Sequence, residues 1–250
     1  MRRSRTERMR IPRLHSPNPL AADTEVALDP VAAQHAVAVL RLAVGAELTL
    51  FDGRGGEHPA TLTRLDKTAV LARVGAHRAV ERELPFPVTV AQALARGERM
   101  DLVVQKATEL GASVLQPLAT ERSEVKLDTA RTAKRLAHWQ GVVRAASEQC
   151  GRNRLMAVRA PLALETFLAE AVGQRVVLAA DGRAFGRLPA PTGDGLVLLV
   201  GPEGGLSAAE VARAEAAGFV KANLGPRVLR TETAAIAALA AVQALWAEAG

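Results

Sequence analysis

Residues 196–210 contain, one after another, an apolar run, a glycine-rich link and a polar segment. They are Leu196-Val197-Leu198-Leu199-Val200, Gly201-Pro202-Glu203-Gly204-Gly205 and Ser207-Ala208-Ala209-Glu210. A continuous apolar run is typical of a strand buried on both faces of a parallel sheet. Ser followed by Glu three residues later is a capping box that opens a helix. Ligands bind outside the carboxyl ends of the strands in open α/β sheets, so the glycine-rich link is predicted to contact a ligand.

A second loop, at residues 223–234, repeats this arrangement and reads Asn-Leu-Gly-Pro-Arg-Val-Leu-Arg-Thr-Glu-Thr-Ala. It also links a short apolar segment to a helix, which suggests one pocket lined by both loops. Neither loop matches GxGxxG or GxxxxGK[ST], and no Gly-Lys pair occurs in the chain. A Rossmann dinucleotide site and a P-loop are therefore unsupported.

The rest of the chain divides into two regions. From residue 88 onward, apolar runs at 88–94, 114–118, 176–180 and 196–200 alternate with helical patterns at 99–110, 128–149, 207–217 and 231–248. This alternation predicts an α/β domain with a mainly parallel sheet over residues 88–250. Alternating segments at 47–51, 61–65 and 70–74 predict a small β-rich barrel over residues 9–80. Charges and two prolines at 81–87 mark the boundary.

Composition narrows the class of protein. Hydrophobic residues at 49% and charged residues at 23% are typical of a globular chain. The longest apolar stretch, residues 234–242, is far shorter than the roughly 20 residues that span a bilayer, so we expect no membrane association. A single cysteine, Cys150, favours a reducing cytoplasm and is assigned to core packing. The five histidines show no metal-ligand spacing, so no metal is predicted.

Positive charge is concentrated in two zones. The chain carries a net charge of +6, and residues 1–13 and 121–159 each carry +5. Two basic zones on a near-neutral body suggest a polyanionic partner such as nucleic acid. Aromatic residues make up only 3% of the chain, which argues against recognition by stacking bases on several rings.

Six motifs together carry a family resemblance. They are the loop at 201–205, residues 224–234, Arg10-Ile11-Pro12, residues 105–111, Glu121-Arg122-Ser123 and residues 148–154. In this order they resemble the SPOUT knotted methyltransferases and, within them, the 16S ribosomal RNA uracil-N3-methyltransferase family. The resemblance implies an N-terminal barrel similar to RNA-binding PUA domains, a C-terminal trefoil knot, a homodimer and S-adenosylmethionine as methyl donor. The knot follows from the resemblance alone, since threaded chains are normally excluded.

Two sites are predicted. The cofactor pocket is expected to be built by the loop at 201–205, the loop at 224–234 and the strand end near 179–181, because these segments follow buried runs at one edge of the sheet. RNA is expected to bind the N-terminal barrel and the basic zone at 121–159. The cofactor set is Ala179, Ala180, Gly201, Pro202, Glu203, Gly204, Gly205, Leu224, Gly225, Arg227, Val228, Leu229, Arg230, Thr231, Thr233 and Ala234. The RNA-binding set is Arg10, Arg13, Arg122, Lys126, Arg131, Lys134 and Arg135. The helix at 231–248 is expected to contribute to the dimer interface, because its alanines permit close packing and its larger apolar residues exceed what one small domain needs. These residues are Ile236, Leu239, Val242, Leu245 and Trp246.

Methylation of uracil N3 requires removal of the imide proton and alignment of N3 with the methyl group. A cation beside O2 or O4 stabilises the developing negative charge, and Arg152, Arg227 and Arg230 are candidates. Glu148, Glu203 and Glu232 are the candidate general bases, and the choice among them stays open. We assign Arg152, Arg230 and Glu148 as the catalytic set.

The partner is expected to be 16S ribosomal RNA or the small ribosomal subunit. Two other functions compete with this one: methylation of RNA ribose 2′-hydroxyls by a SPOUT enzyme, and RNA binding by a non-catalytic dimer.

Overall fold

A computed structural model describes residues 11–66, 69–123 and 129–247, which fold into two compact units. The first unit holds the described residues up to Arg82 together with Glu148–Arg154. The second holds Glu83–Ser147 and the residues from Leu155 onward. The sequence did not predict that residues 148–154 belong to the N-terminal unit.

The first unit is built on a sheet. Its described strands are β1 (Arg13–His15), β2 (Glu25–Ala27), β3 (Glu47–Phe51), β4 (His58–Leu65) and β5 (Val70–Val74), in the order β1-β3-β4-β5-β2. Only the β1–β3 pairing is parallel among these strands. Helix α1 (Pro30–Gln34) begins at Asp29, whose side chain accepts from two backbone N–H groups, and continues into a π-helical turn, His35–Val39. The β-rich unit predicted from the sequence is confirmed.

The second unit contains a parallel sheet with the strand order β12-β10-β11-β6-β7-β8 among its described residues. The strands are β6 (Val88–Ala93), β7 (Val114–Ala119), β8 (Ala157–Val158), β9 (Leu162–Ala163), β10 (Gln174–Ala184), β11 (Leu196–Val200) and β12 (Val220–Asn223), and β9 pairs with β7. Every residue of β11 is buried, as its continuous apolar run predicted. The α/β class is confirmed, and the trefoil knot stays a prediction.

Helices cover this sheet. They are α2 (Arg99–Glu109), α3 (Thr129–Cys150), α4 (Leu164–Glu170), α5 (Ala208–Ala216) and α6 (Thr231–Trp246), with a 3₁₀ turn at Phe185–Arg187. The predicted capping box of α5 is present, since Ser207 and Glu210 exchange hydrogen bonds. On α3, Trp139, Val143 and Ala146 are buried and form the apolar face of the helix. Cys150, at the end of that face, is half-buried. No described helix is long and apolar enough to cross a membrane.

Candidate functional site

A cavity of about 360 Å³ opens beside the middle of β10 and the carboxyl end of β12. Residues 178–181 line it from β10, at the point where the register with β12 shifts after Leu178, and residues 222–225 and 227–229 line it from β12 and the following loop. Gly205, Leu206, Val211 and Ala234 complete the lining. The two loops predicted from the sequence therefore contribute to one cavity, at the edge of the sheet where ligands bind in α/β folds.

One glycine in each of these loops is required by the backbone conformation. Gly205 has a φ of +68° and Gly225 a φ of +107°, in the region that side chains with a Cβ rarely adopt. The turn at Gly225 is also stabilised by Asn223, whose Oδ1 accepts from the Gly225 N–H at 3.1 Å. Backbone amide and carbonyl groups can thus approach a ligand closely.

Thr231 connects the second loop to the first. Its hydroxyl donates to the carbonyl oxygen of Gly201 at 2.6 Å and accepts from the side-chain amide of Gln92 at 2.8 Å. Gln92 is fully buried in β6 and Thr231 is nearly so. These bonds fix the start of α6 against the carboxyl ends of β6 and β11.

Glu203 accepts hydrogen bonds from two donors, one in the segment after β6 and one at the start of α2. Its Oε1 accepts from the Arg96 N–H at 3.0 Å and from Arg99 Nη1 at 2.6 Å. Burial raises the pKa of Glu203, but the hydrogen bonds from Arg96 and Arg99 outweigh it and hold the pKa below its usual value. A lowered pKa weakens a carboxylate as a base, so this environment favours a structural role for Glu203.

The loop after β7 supports the glycine-rich loop. Arg122 Nη1 donates to the Gly204 carbonyl oxygen at 2.7 Å. Beside it, the buried Glu210 accepts from the backbone N–H of Glu121 and from that of Ser207, each at 2.8 Å. Arg122, predicted to bind RNA, thus also contacts the predicted cofactor loop.

The cavity contains nine of the predicted cofactor residues. They are Ala179, Ala180, Gly205, Leu224, Gly225, Arg227, Val228, Leu229 and Ala234. The other seven, Gly201, Pro202, Glu203, Gly204, Arg230, Thr231 and Thr233, are not part of its lining. Asp181 and Asn223 also line the cavity, and both lie in segments that were predicted to form the pocket, the strand end at 179–181 and the loop at 223–234. Four lining residues were not predicted: Leu178, Leu206, Val211 and Ala222. All of these except Val211 adjoin a predicted segment, so extending each segment by one residue would have found them.

The three residues assigned to catalysis lie in different units. Arg230 belongs to the second unit and is exposed, whereas Glu148 and Arg152 belong to the first. Glu148 Oε1 accepts from the backbone N–H of His15 at 3.0 Å, and Arg152 is only 3% exposed. The catalytic assignment of all three stays a prediction.

The predicted RNA-binding residues are also divided between the units. Arg13 is half-buried in the first unit, where Nη1 contacts Glu57 Oε2 at 2.5 Å and Nη2 donates to Asn153 Oδ1 at 2.5 Å. Arg131, Lys134 and Arg135 lie exposed on α3 in the second unit. Arg10 and Lys126 lie outside the described residues. Within the described ranges, no group of three His, Cys, Asp or Glu side chains is arranged to hold a metal ion.

Comparison with known proteins gives consistent matches. Residues 82–243 match the family model of an RNA methyltransferase domain, and residues 29–75 match that of an RNA methyltransferase PUA domain. The ribosomal RNA small subunit methyltransferase E of Bacillus subtilis is 34% identical over 83% of this chain and 85% of its own length. The protein of the same name from Mycobacterium bovis is 37% identical over 84% and 83%.

Among solved structures, the ribosomal RNA small subunit methyltransferase E of Neisseria gonorrhoeae, bound to S-adenosylmethionine, is 37% identical. It superposes with a TM-score of 0.89 over 95% of this chain and 98% of that one.

Proposed function

The chain belongs to the family of ribosomal RNA small subunit methyltransferases E, and on that premise we propose that it methylates N3 of a uridine in 16S ribosomal RNA. The methyl donor in this proposal is S-adenosylmethionine. The observation that carries it is the cavity at the sheet edge, which the two glycine-containing loops line in a chain of this family.

The residues of the cavity fit this cofactor. Its volume of about 360 Å³ lies in the range of small-molecule sites, and its lining combines backbone segments with apolar side chains. Leu178, Leu206 and Leu229 provide apolar surface for the adenine ring, and the backbone of residues 223–229 provides polar groups for its edge. Asp181, the acidic side chain of the described lining, can accept from ribose hydroxyls. When bound, the cofactor supplies an electrophilic methyl group on a sulfonium.

Of the three cationic candidates, Arg227 is the one that lines the cavity. Its guanidinium is exposed and always charged. Placed beside O2 or O4 of uracil, a guanidinium stabilises the negative charge that develops when N3 loses its proton. Arg227 is therefore the strongest candidate for this role. The lowered pKa of Glu203 makes it a poor general base, and the choice between Glu148 and Glu232 stays open.

The remaining assignments belong to the same proposal. The first unit, which includes the segment matching the PUA family, binds the ribosomal RNA or small subunit as a separate domain. The second unit forms a homodimer and contains the trefoil knot. The enzyme acts in the cytoplasm and needs no metal.

The test uses the purified full chain with small ribosomal subunits or 16S ribosomal RNA and radiolabelled S-adenosylmethionine. After digestion to nucleosides, we expect label in 3-methyluridine. Label in a 2′-O-methylated nucleoside would instead support the ribose methyltransferase. An absence of heat in a calorimetric titration with S-adenosylmethionine would support the non-catalytic RNA-binding dimer.

A further inference from the structure

A second cavity of about 420 Å³ lies in the second unit, between the segment after β6, the start of α2 and the first half of α3. It shares no lining residue with the cofactor cavity among the described residues. Three of its lining residues, Arg131, Lys134 and Arg135, belong to the RNA-binding set predicted from the sequence, but the cavity beside them has no role so far.

The lining has two chemical parts. Leu94, Ala95, Met100 and Trp139 provide an apolar floor, and each is at most 4% exposed. Arg131, Lys134 and Arg135 provide an exposed cationic rim along one side of α3. An inorganic anion would engage the rim and leave the floor unused. A nucleotide carries both a phosphate for the rim and an apolar ring face for the floor.

Asp101 is the carboxylate in this lining, and two neighbours engage it. Its Oδ2 contacts His138 Nε2 at 2.8 Å, and its Oδ1 accepts from Trp139 Nε1 at 3.0 Å. These bonds join α2 to α3 and hold the wall of the cavity in place. They also direct the carboxylate oxygens to His138 and Trp139, so that its repulsion of a phosphate is reduced. Three cations of the described lining therefore face one carboxylate that is already hydrogen-bonded.

The cavity is linked to the cofactor loop through one residue. Arg96 lies between the lining residues Ala95 and Gly97, and its backbone N–H donates to Glu203 of the loop at 201–205. Both cavities thus lie at segments that follow the carboxyl ends of strands in one parallel sheet. A nucleotide held here would lie on the side of the sheet that faces the reaction.

We propose that this cavity holds a nucleotide of the substrate RNA, with its phosphate against Arg131, Lys134 and Arg135 and its base over Leu94 and Met100. The inference rests on the proposed function, because it assumes that the substrate is RNA. It assigns to the second unit an RNA contact that is separate from the first unit and from the cofactor.

The first experiment compares the variant in which Arg131, Lys134 and Arg135 are all changed to Gln with a matched control. The control changes Arg159, Arg183 and Arg187 to Gln, which removes three exposed cations elsewhere in the same unit. Filter binding of 16S ribosomal RNA is measured from low to high salt. Loss of three phosphate contacts should weaken binding at least about tenfold and lower the slope of log K against log salt by about 2 to 3. The dissociation constant for S-adenosylmethionine should not change.

The second experiment uses the wild-type chain and a 16S ribosomal RNA transcript substituted with 4-thiouridine. After irradiation, crosslinked peptides are mapped by mass spectrometry, and we expect crosslinks in residues 94–101 or 131–139. Equal weakening of RNA binding by the two triple variants would overturn the proposal, as would crosslinks confined to other segments. If the wild-type chain methylates no ribosomal RNA, the proposed function fails. The RNA-binding and crosslinking measurements still test whether this cavity binds a nucleotide of the RNA.

Discussion

Arg122 donates a 2.7 Å hydrogen bond from Nη1 to the carbonyl oxygen of Gly204, and thereby attaches the loop after β7 to the glycine-rich loop after β11. The two residues are 82 positions apart in sequence. The neighbouring Glu210, with its bonds to Glu121 and Ser207, fixes the same two segments from the other side. The conformation of the glycine-rich loop therefore depends on a side chain outside it.

Replacement of Arg122 by Ala should weaken cofactor binding through this loop. A charged hydrogen bond to a partly exposed carbonyl is worth about 1 kcal/mol, which corresponds to roughly a fivefold rise in the dissociation constant for S-adenosylmethionine. Titration calorimetry measures this dissociation constant. Arg122→Lys should recover part of the affinity, because an ammonium group retains the charge and a donor.

The matched control is Arg213→Ala, which removes an exposed guanidinium that pairs with Glu121 and Glu165 instead. If Arg213→Ala lowers cofactor affinity as much as Arg122→Ala does, the loss follows from removing a positive charge and not from the bond to Gly204. Unchanged affinity in Arg122→Ala would show that the bond to Gly204 does not position the loop.

A side chain at Gly204 should disturb the same contact. A Cβ built there lies 3.4 Å from Cδ and 3.5 Å from Cβ of Arg122, which is already van der Waals contact, so the further methyl groups of Val must fit beside the Arg122 side chain. We expect Gly204→Val to lower cofactor affinity while the melting temperature changes by only a few degrees. Gly193→Val is the control, since a Cβ at Gly193 meets no atom within 4 Å. Wild-type affinity in the Gly204 variant would remove this loop from the cofactor site.

Thr231 should be important for stability. Thr231→Val removes the hydroxyl that joins Gly201 to Gln92 and leaves a buried amide and a carbonyl without this partner. The Gln92 amide keeps its bonds to the carbonyl oxygens of Ala93 at 3.0 Å and Gly201 at 3.5 Å, so the variant loses two hydrogen bonds without leaving a group wholly unpaired. Each lost bond is worth about 0.5–1.5 kcal/mol, so chemical denaturation should show a fall in the free energy of unfolding of at least about 1 kcal/mol. Thr231→Ser keeps the hydroxyl and should restore most of this loss. Thr233→Val, at an exposed position of the same helix, should change stability by less than about 0.5 kcal/mol. Equal losses of unfolding free energy in Thr231→Val and Thr233→Val would contradict a stabilising role of the Thr231 hydroxyl.

The sequence predicted those parts of the fold that depend on local patterns. The apolar run of β11, the capping box of α5 and the two loops at the sheet edge follow from residue periodicity and turn chemistry. The placement of residues 148–154 could not be predicted this way. Asn153 donates to the Val80 carbonyl oxygen and Arg82 donates to the Gly151 carbonyl oxygen across about 70 residues, and no periodic pattern encodes such pairs.

The expected dimer interface was argued from the apolar residues of α6. Leu239, Val242 and Trp246 are buried within the second unit itself, which leaves Leu245 as the large apolar side chain of α6 that is exposed. The apolar area that the sequence suggested for a partner is thus largely used by the core of this unit. The homodimer stays a prediction, and light scattering at micromolar concentration tests it.

Glu57 should make the stability of the first unit dependent on pH. Burial raises the pKa of Glu57, but hydrogen bonds from Arg13 and Asn153 and the charges of Arg13 and Arg82 outweigh it and hold the pKa below its usual value of 4.5. A carboxylate with a lowered pKa stabilises the folded state fully above its unfolded pKa. This stabilisation is lost as the pH falls through the folded pKa.

We therefore expect Glu57→Gln to destabilise the protein at pH 7. The difference in the free energy of unfolding between this variant and wild type should shrink as the pH is lowered below about 4.5. Urea denaturation at several pH values measures this difference in the free energy of unfolding. The control is Glu47→Gln, at the exposed end of β3. A difference that stays constant from pH 7 to pH 3 would mean that the ion pair with Arg13 does not contribute to stability.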